Sequence, residues 1–206
     1  MTFKYPRTPH LPWSQSISAD DIIGTSPFEN REVVVTRKMD GENCTGLKTG
    51  CHARSPDGRN HPSRDWAKKF WMDRSWKLPK NWRLSAENLY AQHSIAYHNL
   101  PSYLLGFAIW DETLTCLSWD DTLIWLNTLD IHPVEVLWQG IYDEKIIKSL
   151  WNNTDETIHE GYVVRSKHAF PFNEFKNNVA KFVRKNHVQT DQHWMHKPII
   201  PNGLKS

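Results

Sequence analysis

Residues 32–43 read Glu-Val-Val-Val-Thr-Arg-Lys-Met-Asp-Gly-Glu-Asn, and this stretch decides how the rest of the chain is understood. Residues 32–36 are a short β-branched run, which is a strand signal. The strand leads into Lys38-Met39-Asp40-Gly41-Glu42-Asn43, whose Asp-Gly pair marks a turn, and residues 44–48 (CTGLK) read as a second strand returning from it. A lysine at a strand end beside a tight turn holds its amine at a fixed place on a sheet surface. To attack phosphorus the amine must be neutral, so its ordinary pKa of about 10.4 has to fall, through nearby cations or burial. Asp40 and Asn43 are placed to bind hydroxyls or to orient that lysine. Taken alone, Lys-x-Asp-Gly is better read as an ordinary hairpin turn with a solvated lysine.

Working outward, residues 1–30 are rich in Pro, Ser and Asp and read as an irregular lead-in. Residues 63–72 (SRDWAKKFWM) read as a helix with Ser63 as candidate N-cap. Strands are expected at 82–87, at 103–110, at 134–138, at 161–165 and at 179–184, the second of them apolar enough to be buried. Ser118 before Trp119-Asp120-Asp121 predicts a helix to about Leu129, and a further helix is expected over 143–152. Strands outnumber helices without regular alternation. That pattern predicts an α+β fold with largely antiparallel sheets, not a doubly wound one.

The composition, 39% hydrophobic and 23% charged over 206 residues, is that of a folded chain with one substantial core. No apolar run reaches the roughly 20 residues of a membrane span, and residues 1–13 lack a secretory h-region. Three cysteines, Cys44, Cys51 and Cys116, form no paired framework, so a reducing, cytoplasmic setting is expected. The net charge of +2 announces no nucleic-acid partner, although 52–59, 64–80 and 176–185 are locally basic and interleaved with aromatics.

Four further features accompany Lys38. Glu87 lies in RLSAENLYAQHSIAY after a predicted strand, Phe107 lies on YLLGFAIWDE, Glu160 opens EGYVVR, and Lys181 is central in VAKFVRK. Alternation in the last segment puts Lys181, Val183 and Lys185 on one face and Phe182 and Arg184 on the other. At these residues the chain resembles the RNA ligase family of covalent nucleotidyltransferases, relatives of DNA ligases and mRNA capping enzymes. The resemblance covers about Lys38 to Lys185 and implies a nucleotidyltransferase, ATP-grasp-like domain of two largely antiparallel sheets with flanking helices.

It implies that KMDGEN is motif I, with Lys38 as the adenylated nucleophile and Asp40 and Asn43 beside the nucleotide. By the same resemblance Glu87 of motif III binds the ribose, and an aromatic of motif IIIa stacks on adenine, Phe107 being the choice and Trp110 its competitor. Glu160 of motif IV acts on the metal and phosphate, Lys181 of motif V contacts the α-phosphate, and Arg54 in HARS contacts a 5′-phosphate or the nucleotide. Val183 stands where the family usually carries a second lysine, with Arg184 or Lys185 as possible replacements.

The implied cofactors are ATP and Mg²⁺ or Mn²⁺, and the implied substrate is RNA, a nicked duplex or broken ends with a 5′-phosphate. The expectation for the whole is one adenylyltransferase domain over 1–206, with 186–206 as a tail and no OB-fold, so that a separate protein could supply the grip on the nick. A DNA ligase and an inactive nucleic-acid-binding module are the alternatives. His187, His193 and His196 match no familiar metal spacing, Cys44, Cys51 and His52 lack a fourth zinc ligand, and Trp119, Trp125 and Trp138 read as core. Trp66 and Phe70 are expected to pack together and leave a basic helix face for RNA.

Overall fold

The computed structural model describes residues 4–17, 27–55, 60–152, 154–185 and 198–205. Its strands are β1 (Glu32–Lys38), β2 (Glu42–Leu47), β3 (Gly50–Ala53), β4 (Arg83–Asn88), β5 (Leu104–Trp110), β6 (Thr115–Cys116), β7 (His132–Pro133), β8 (Val136–Ile141), β9 (Gly161–Ser166), β10 (Phe170–Pro171) and β11 (Val179–Val183). The helices are α1 (Asp65–Met72), α2 (Trp119–Thr128) and α3 (Glu144–Ser149). The strands form two sheets, β11-β9-β1-β8 and β10-β6-β5-β4-β2-β3, with β7 pairing β5 in parallel and the other pairs antiparallel. This is the α+β arrangement expected from the strand pattern.

The hairpin expected around Asp40-Gly41 does not form. Val33, Val34 and Val35 are all fully buried, so β1 is covered on both faces and is a central strand, with β8 on one edge and β9 on the other. Neither edge is open to β2, which pairs instead with β3 and β4 in the second sheet. The Met39-Asp40-Gly41 turn therefore passes the chain from one sheet to the other, and the two sheets become the walls of a cleft.

Alternation then sorts the side chains. From the first sheet Val33, Val35, Tyr162, Val164, Ala180 and Phe182 form one core away from the cleft, with Ile147 of α3 and Leu11 packed on them. From the second sheet Cys44, Leu84, Ala86, Leu104 and Ile109 pack under α1 and α2 through Trp71 and Leu126. Trp71 also donates its indole N–H to Leu47 O (2.8 Å) and Gly50 O (3.0 Å), tying α1 to the turn between β2 and β3.

Local readings fare unevenly. Ser118 caps α2 as expected, its Oγ accepting from Asp121 N–H at 3.1 Å. Ser63 caps nothing: it is buried in a 3₁₀ turn, Pro62–Arg64, whose cap is His61, and α1 starts after Arg64 with no side-chain cap. Trp66 and Phe70 stack as expected at 4.6 Å, but Arg74 lies over the Phe70 ring and Lys77 pairs with Asp130, so two cations of that face are engaged within the chain. Trp119 is fully buried, and Trp125 and Trp138 pack on the cores.

Residues 9–16 are not a passive lead-in. Lys181 N–H donates to Pro9 O (2.9 Å) and Leu11 N–H to Lys181 O (2.8 Å), which extends the first sheet past β11. His187, His193, His196 and part of the basic 52–59 stretch lie outside the described residues. No helix among the described residues is long and apolar enough to cross a membrane.

Candidate active site

Lys38 ends β1 with its side chain on the cleft face, because Val33 and Val35 occupy the opposite one. On the same wall, in register, lie Val163 of β9 and Lys181 of β11, and Lys38 itself is opposite Gly161. The facing wall carries Asn43 of β2 directly opposite Glu87 of β4, and Phe107 of β5. Phe107 is the extra residue of a bulge: Ser85 pairs with Ala108 and Ala86 with Gly106, leaving Phe107 without a partner in the register. That irregularity puts two successive side chains, Phe107 and Ala108, on the cleft side, away from the α2-covered core. Phe107 is half-buried, whereas its competitor Trp110 is 2% exposed, inside a cluster with Phe170 and Phe175, its indole N–H on Ser85 Oγ at 3.2 Å.

Two glycines let the walls approach. A Cβ on Gly41 would stand 2.6 Å from Asn88 O and 3.1 Å from Glu87 Cγ, and one on Gly161 would stand 2.0 Å from Phe182 O. The Asp-Gly and Glu-Gly pairs thus serve close packing of backbone beside the site, not a left-handed turn.

Lys38 Nζ forms an ion pair with Glu160, whose side chain is 1% exposed. The expectation of a lysine with a lowered pKa is reversed in this state. Burial works to lower it, but Glu160, Glu87 and Asp40 together outweigh burial and hold the ammonium above its ordinary value. Glu87 is the complementary case: burial raises its carboxyl to about 8, against the pull of Lys38 and with Glu160 and Asp40 adding to the rise. Lys38 is therefore an ammonium surrounded by several acids, of which Glu160 is the direct partner.

Asp40 is 6% exposed, and its Oδ2 accepts from Ser94 N–H (2.8 Å), Ser94 Oγ–H (2.8 Å) and Ile95 N–H (2.7 Å). Its role in the fold is to anchor the 89–103 loop to the turn that carries Lys38. Asn43 Oδ1, in contrast, is buried with no hydrogen-bond partner among the described residues, so an acceptor on the cleft wall fits a donor from a ligand such as a ribose hydroxyl. Glu42 is held by Arg64 through Nε at 2.7 Å and a second guanidinium N–H. Arg54 sits apart from the Lys38 group: its Nε donates to Tyr5 O at 3.3 Å, and the Tyr5 ring meets Phe107 edge-on at 5.4 Å. The 4–6 segment thereby roofs a small depression over Thr45, Ser85 and Trp110.

Lys38, Glu87 and Glu160 are thus brought together, with Asn43 opposite Glu87, Phe107 on the neighbouring strand and Lys181 on the Lys38 wall. β11 ends at Val183, so Arg184 and Lys185 lie beyond the strand and alternation assigns them no face. Among the described residues no group of three or more His, Cys, Asp or Glu is arranged to hold a metal ion. These carboxylates fit a magnesium-like ion that keeps several waters and arrives on phosphates, with Glu160 as the residue that would hold it. Tyr5, Ser94, Tyr97 and Asn202 were not singled out by the sequence. For Ser94 and Tyr97 the one available signal was length: residues 89–103 are a long connection without periodicity, and such loops are commonly functional.

No curated relative matches the chain. Its fold is similar to that of a protein described as an ATP-dependent DNA ligase from Aquifex aeolicus (TM-score 0.56, 18% identity, 88% of this chain and 50% of that one). It is also similar to an archaeal ATP-dependent RNA ligase (TM-score 0.55, 14% identity, 87% and 48%) and to a variant of the Naegleria gruberi RNA ligase with AMP and Mn (TM-score 0.53, 16% identity, 76% and 50%). The chain spans about half the length of these solved ligases. Residues 31–183, which span β1 to β11 and hold Lys38, Asn43, Glu87, Phe107, Glu160 and Lys181, match the RNA ligase family, and the chain belongs to that family.

Proposed function

We propose that the chain is the nucleotidyltransferase core of an ATP-dependent RNA ligase, joining 5′-phosphate and 3′-hydroxyl ends, with Lys38 as the residue that carries AMP. The observation that carries this reading is the pairing of Lys38 with the buried Glu160, with Glu87 and Asn43 on the opposite wall. The Naegleria gruberi ligase structures with ATP or AMP and Mn support ATP and a divalent cation as the companions of the reaction.

In this reading Lys38 Nζ, once deprotonated, attacks the α-phosphorus. A phosphorus–nitrogen bond forms, the bond to the β-phosphate bridging oxygen breaks, and pyrophosphate leaves. The oxygen of an RNA 5′-phosphate then takes the AMP from Lys38, and a 3′-hydroxyl displaces the AMP to form the phosphodiester. A divalent cation, when bound, neutralises the charge on the phosphate oxygens. Glu160 accepts the ammonium's proton-bearing contact in the resting site and has to be drawn away before the amine reacts. Lys181, fixed in β11 by its own backbone bonds to residues 9–11, places a cation on the α-phosphate oxygens. Glu87 and Asn43 hold the ribose, Phe107 supplies the face on which the base stacks, Asp40 anchors the turn, and Arg54 meets a phosphate at the outer end of the cleft. A second unit that grips the nick would complete the RNA site, in a reducing, cytoplasmic setting.

The test is incubation with α-labelled ATP and Mg²⁺, beside Lys38→Ala. Label stable to denaturation on the wild type and absent from the variant is expected, followed by sealing of a nicked duplex with RNA at the 3′-hydroxyl side. No label on either folded protein would overturn the reading.

A further inference from the structure

Residues 198–205 lie outside the family match, yet they are built into the site. Asn202 is 3% exposed and spends all its polar groups on the 89–103 loop. Its Oδ1 accepts from Tyr97 N–H (2.8 Å), its Nδ2 donates to Leu89 O (2.8 Å) and Ala91 O (3.4 Å), and its backbone N–H donates to Tyr90 O (2.9 Å) while its carbonyl accepts from Tyr103 Oη (2.9 Å). Neighbours continue the grip: Gly203 N–H donates to Tyr97 O (2.7 Å), Gln92 N–H to Ile200 O (2.8 Å), Leu100 N–H to Gly203 O (3.0 Å) and Lys205 N–H to Leu100 O (2.8 Å).

Both backbone groups of Tyr97 are therefore held by residues 202–203. At its other end the Tyr97 hydroxyl accepts from Asp40 N–H at 2.9 Å, two residues from Lys38. Ser94 and Ile95 of the same loop bind the Asp40 carboxylate. The loop is thus wedged between the Lys38 turn and the 198–205 segment. Gly203 permits the contact, since a Cβ there would stand 3.0 Å from His98 Cα and His98 O.

We propose that residues 198–205 are a clamp on the catalytic turn, in which Asn202 and Tyr97 are positioning residues that fix Lys38 for attack on the nucleotide. The clamp rests on the ligase reading, and its location explains its mode of action. Neither sheet contains the segment, so loosening it leaves the walls in place and lets the turn between them drift. A misplacement of about 1 Å at a reacting centre can cost on the order of 100-fold in rate. Because the nucleotide pocket lies on the walls, the loss falls on the rate at saturating ATP and not on KM.

The experiment measures single-turnover label transfer from α-labelled ATP in the full chain, per folded molecule, for the wild type, Asn202→Ala and Tyr97→Phe. Tyr97→Phe removes only the hydroxyl on Asp40 N–H, so it remains informative if Asn202→Ala folds poorly. Hydrogen exchange over residues 38–43 is followed in parallel. The expected result is a fall of at least about tenfold in the saturating rate for Tyr97→Phe, with KM for ATP changed less than about twofold and faster exchange at the turn. A lower melting temperature with an unchanged rate per folded molecule overturns the proposal, since that is what a purely structural contact would give. If the wild type takes no label, the ligase reading falls, and the clamp is then decided by exchange alone: faster exchange at 38–43 in Tyr97→Phe supports it, unchanged exchange overturns it.

Discussion

Replacing Arg165 by Met should weaken the hold between the two walls of the cleft while changing no side chain assigned to chemistry. Arg165 is 4% exposed and projects from β9 across to the second sheet. Its guanidinium donates to Phe107 O (3.2 Å) and Leu117 O (2.8 Å), and to Ser166 O on its own strand (3.1 Å). It lies over the rings of Trp119 at 5.4 Å and Phe170 at 5.7 Å, with no carboxylate paired to it among the described residues. Methionine keeps the stem and removes the donors. The two carbonyls across the cleft then lose their partners, at about 1–3 kcal/mol each. The relief of burying no charge offsets part of this, which leaves a net loss of about 3 kcal/mol. For a chain of this length each kcal/mol moves Tm by roughly 2–4 °C, so the variant should melt about 6–12 °C lower. Tryptophan fluorescence melting, with a urea titration to check the slope, measures this. A Tm within about 2 °C of the wild type would refute the argument that Arg165 pins the sheets together.

Two further outcomes follow from the geometry. Since Lys38 is held above its ordinary pKa and, as the proposed nucleophile, would react only as the neutral amine, kcat/KM for lysyl-AMP formation should keep rising with pH from 6 to 9; a plateau starting near pH 7 would contradict the sign assigned to the acids around it. Gly161→Ala places a methyl where Phe182 O now lies 2.0 Å away, so β11 must retreat with Lys181 on it, costing about 1–3 kcal/mol in the melt and at least about tenfold in label transfer; a variant that melts and labels like the wild type would show that the missing Cβ of Gly161 does not set how closely β11 sits.

The strands were legible where local composition suffices. The valine run of 33–35, the apolar stretch ending at Trp110 and the Ser118-Trp119-Asp120-Asp121 helix start all form close to where the sequence places them. Partner choice was not legible. Asp40-Gly41 carries the local chemistry of a hairpin turn, but the burial of Val34 and Val35 on opposite faces makes β1 central, and that depends on β8 and β9 about a hundred residues later. The same limit hid the partners of Asp40, which come from residues 94, 95 and 97, and behind them Asn202. Polar side chains such as Ser94 and Asn202 look like surface residues until the backbone groups they satisfy are known. The charge state of Lys38 went astray for a related reason: burial alone would lower its pKa, and only the convergence of Glu160, Glu87 and Asp40 reverses the sign.

The turn between the sheets also acts as a ruler. Lys38 and Asn43 stand on opposite walls yet are five residues apart in the chain, a span that cannot exceed roughly 17 Å even when drawn straight. At that end the cleft has a fixed maximum width, set by covalent bonds and independent of what occupies it. Near Phe175 the sheets are tethered a second time, by the short connection from Ser166 of β9 to Phe170 of β10, so covalent bonds limit the opening of the cleft at both places. Lys38, the proposed nucleophile, sits beside the first of these tethers, where the walls have least freedom to part.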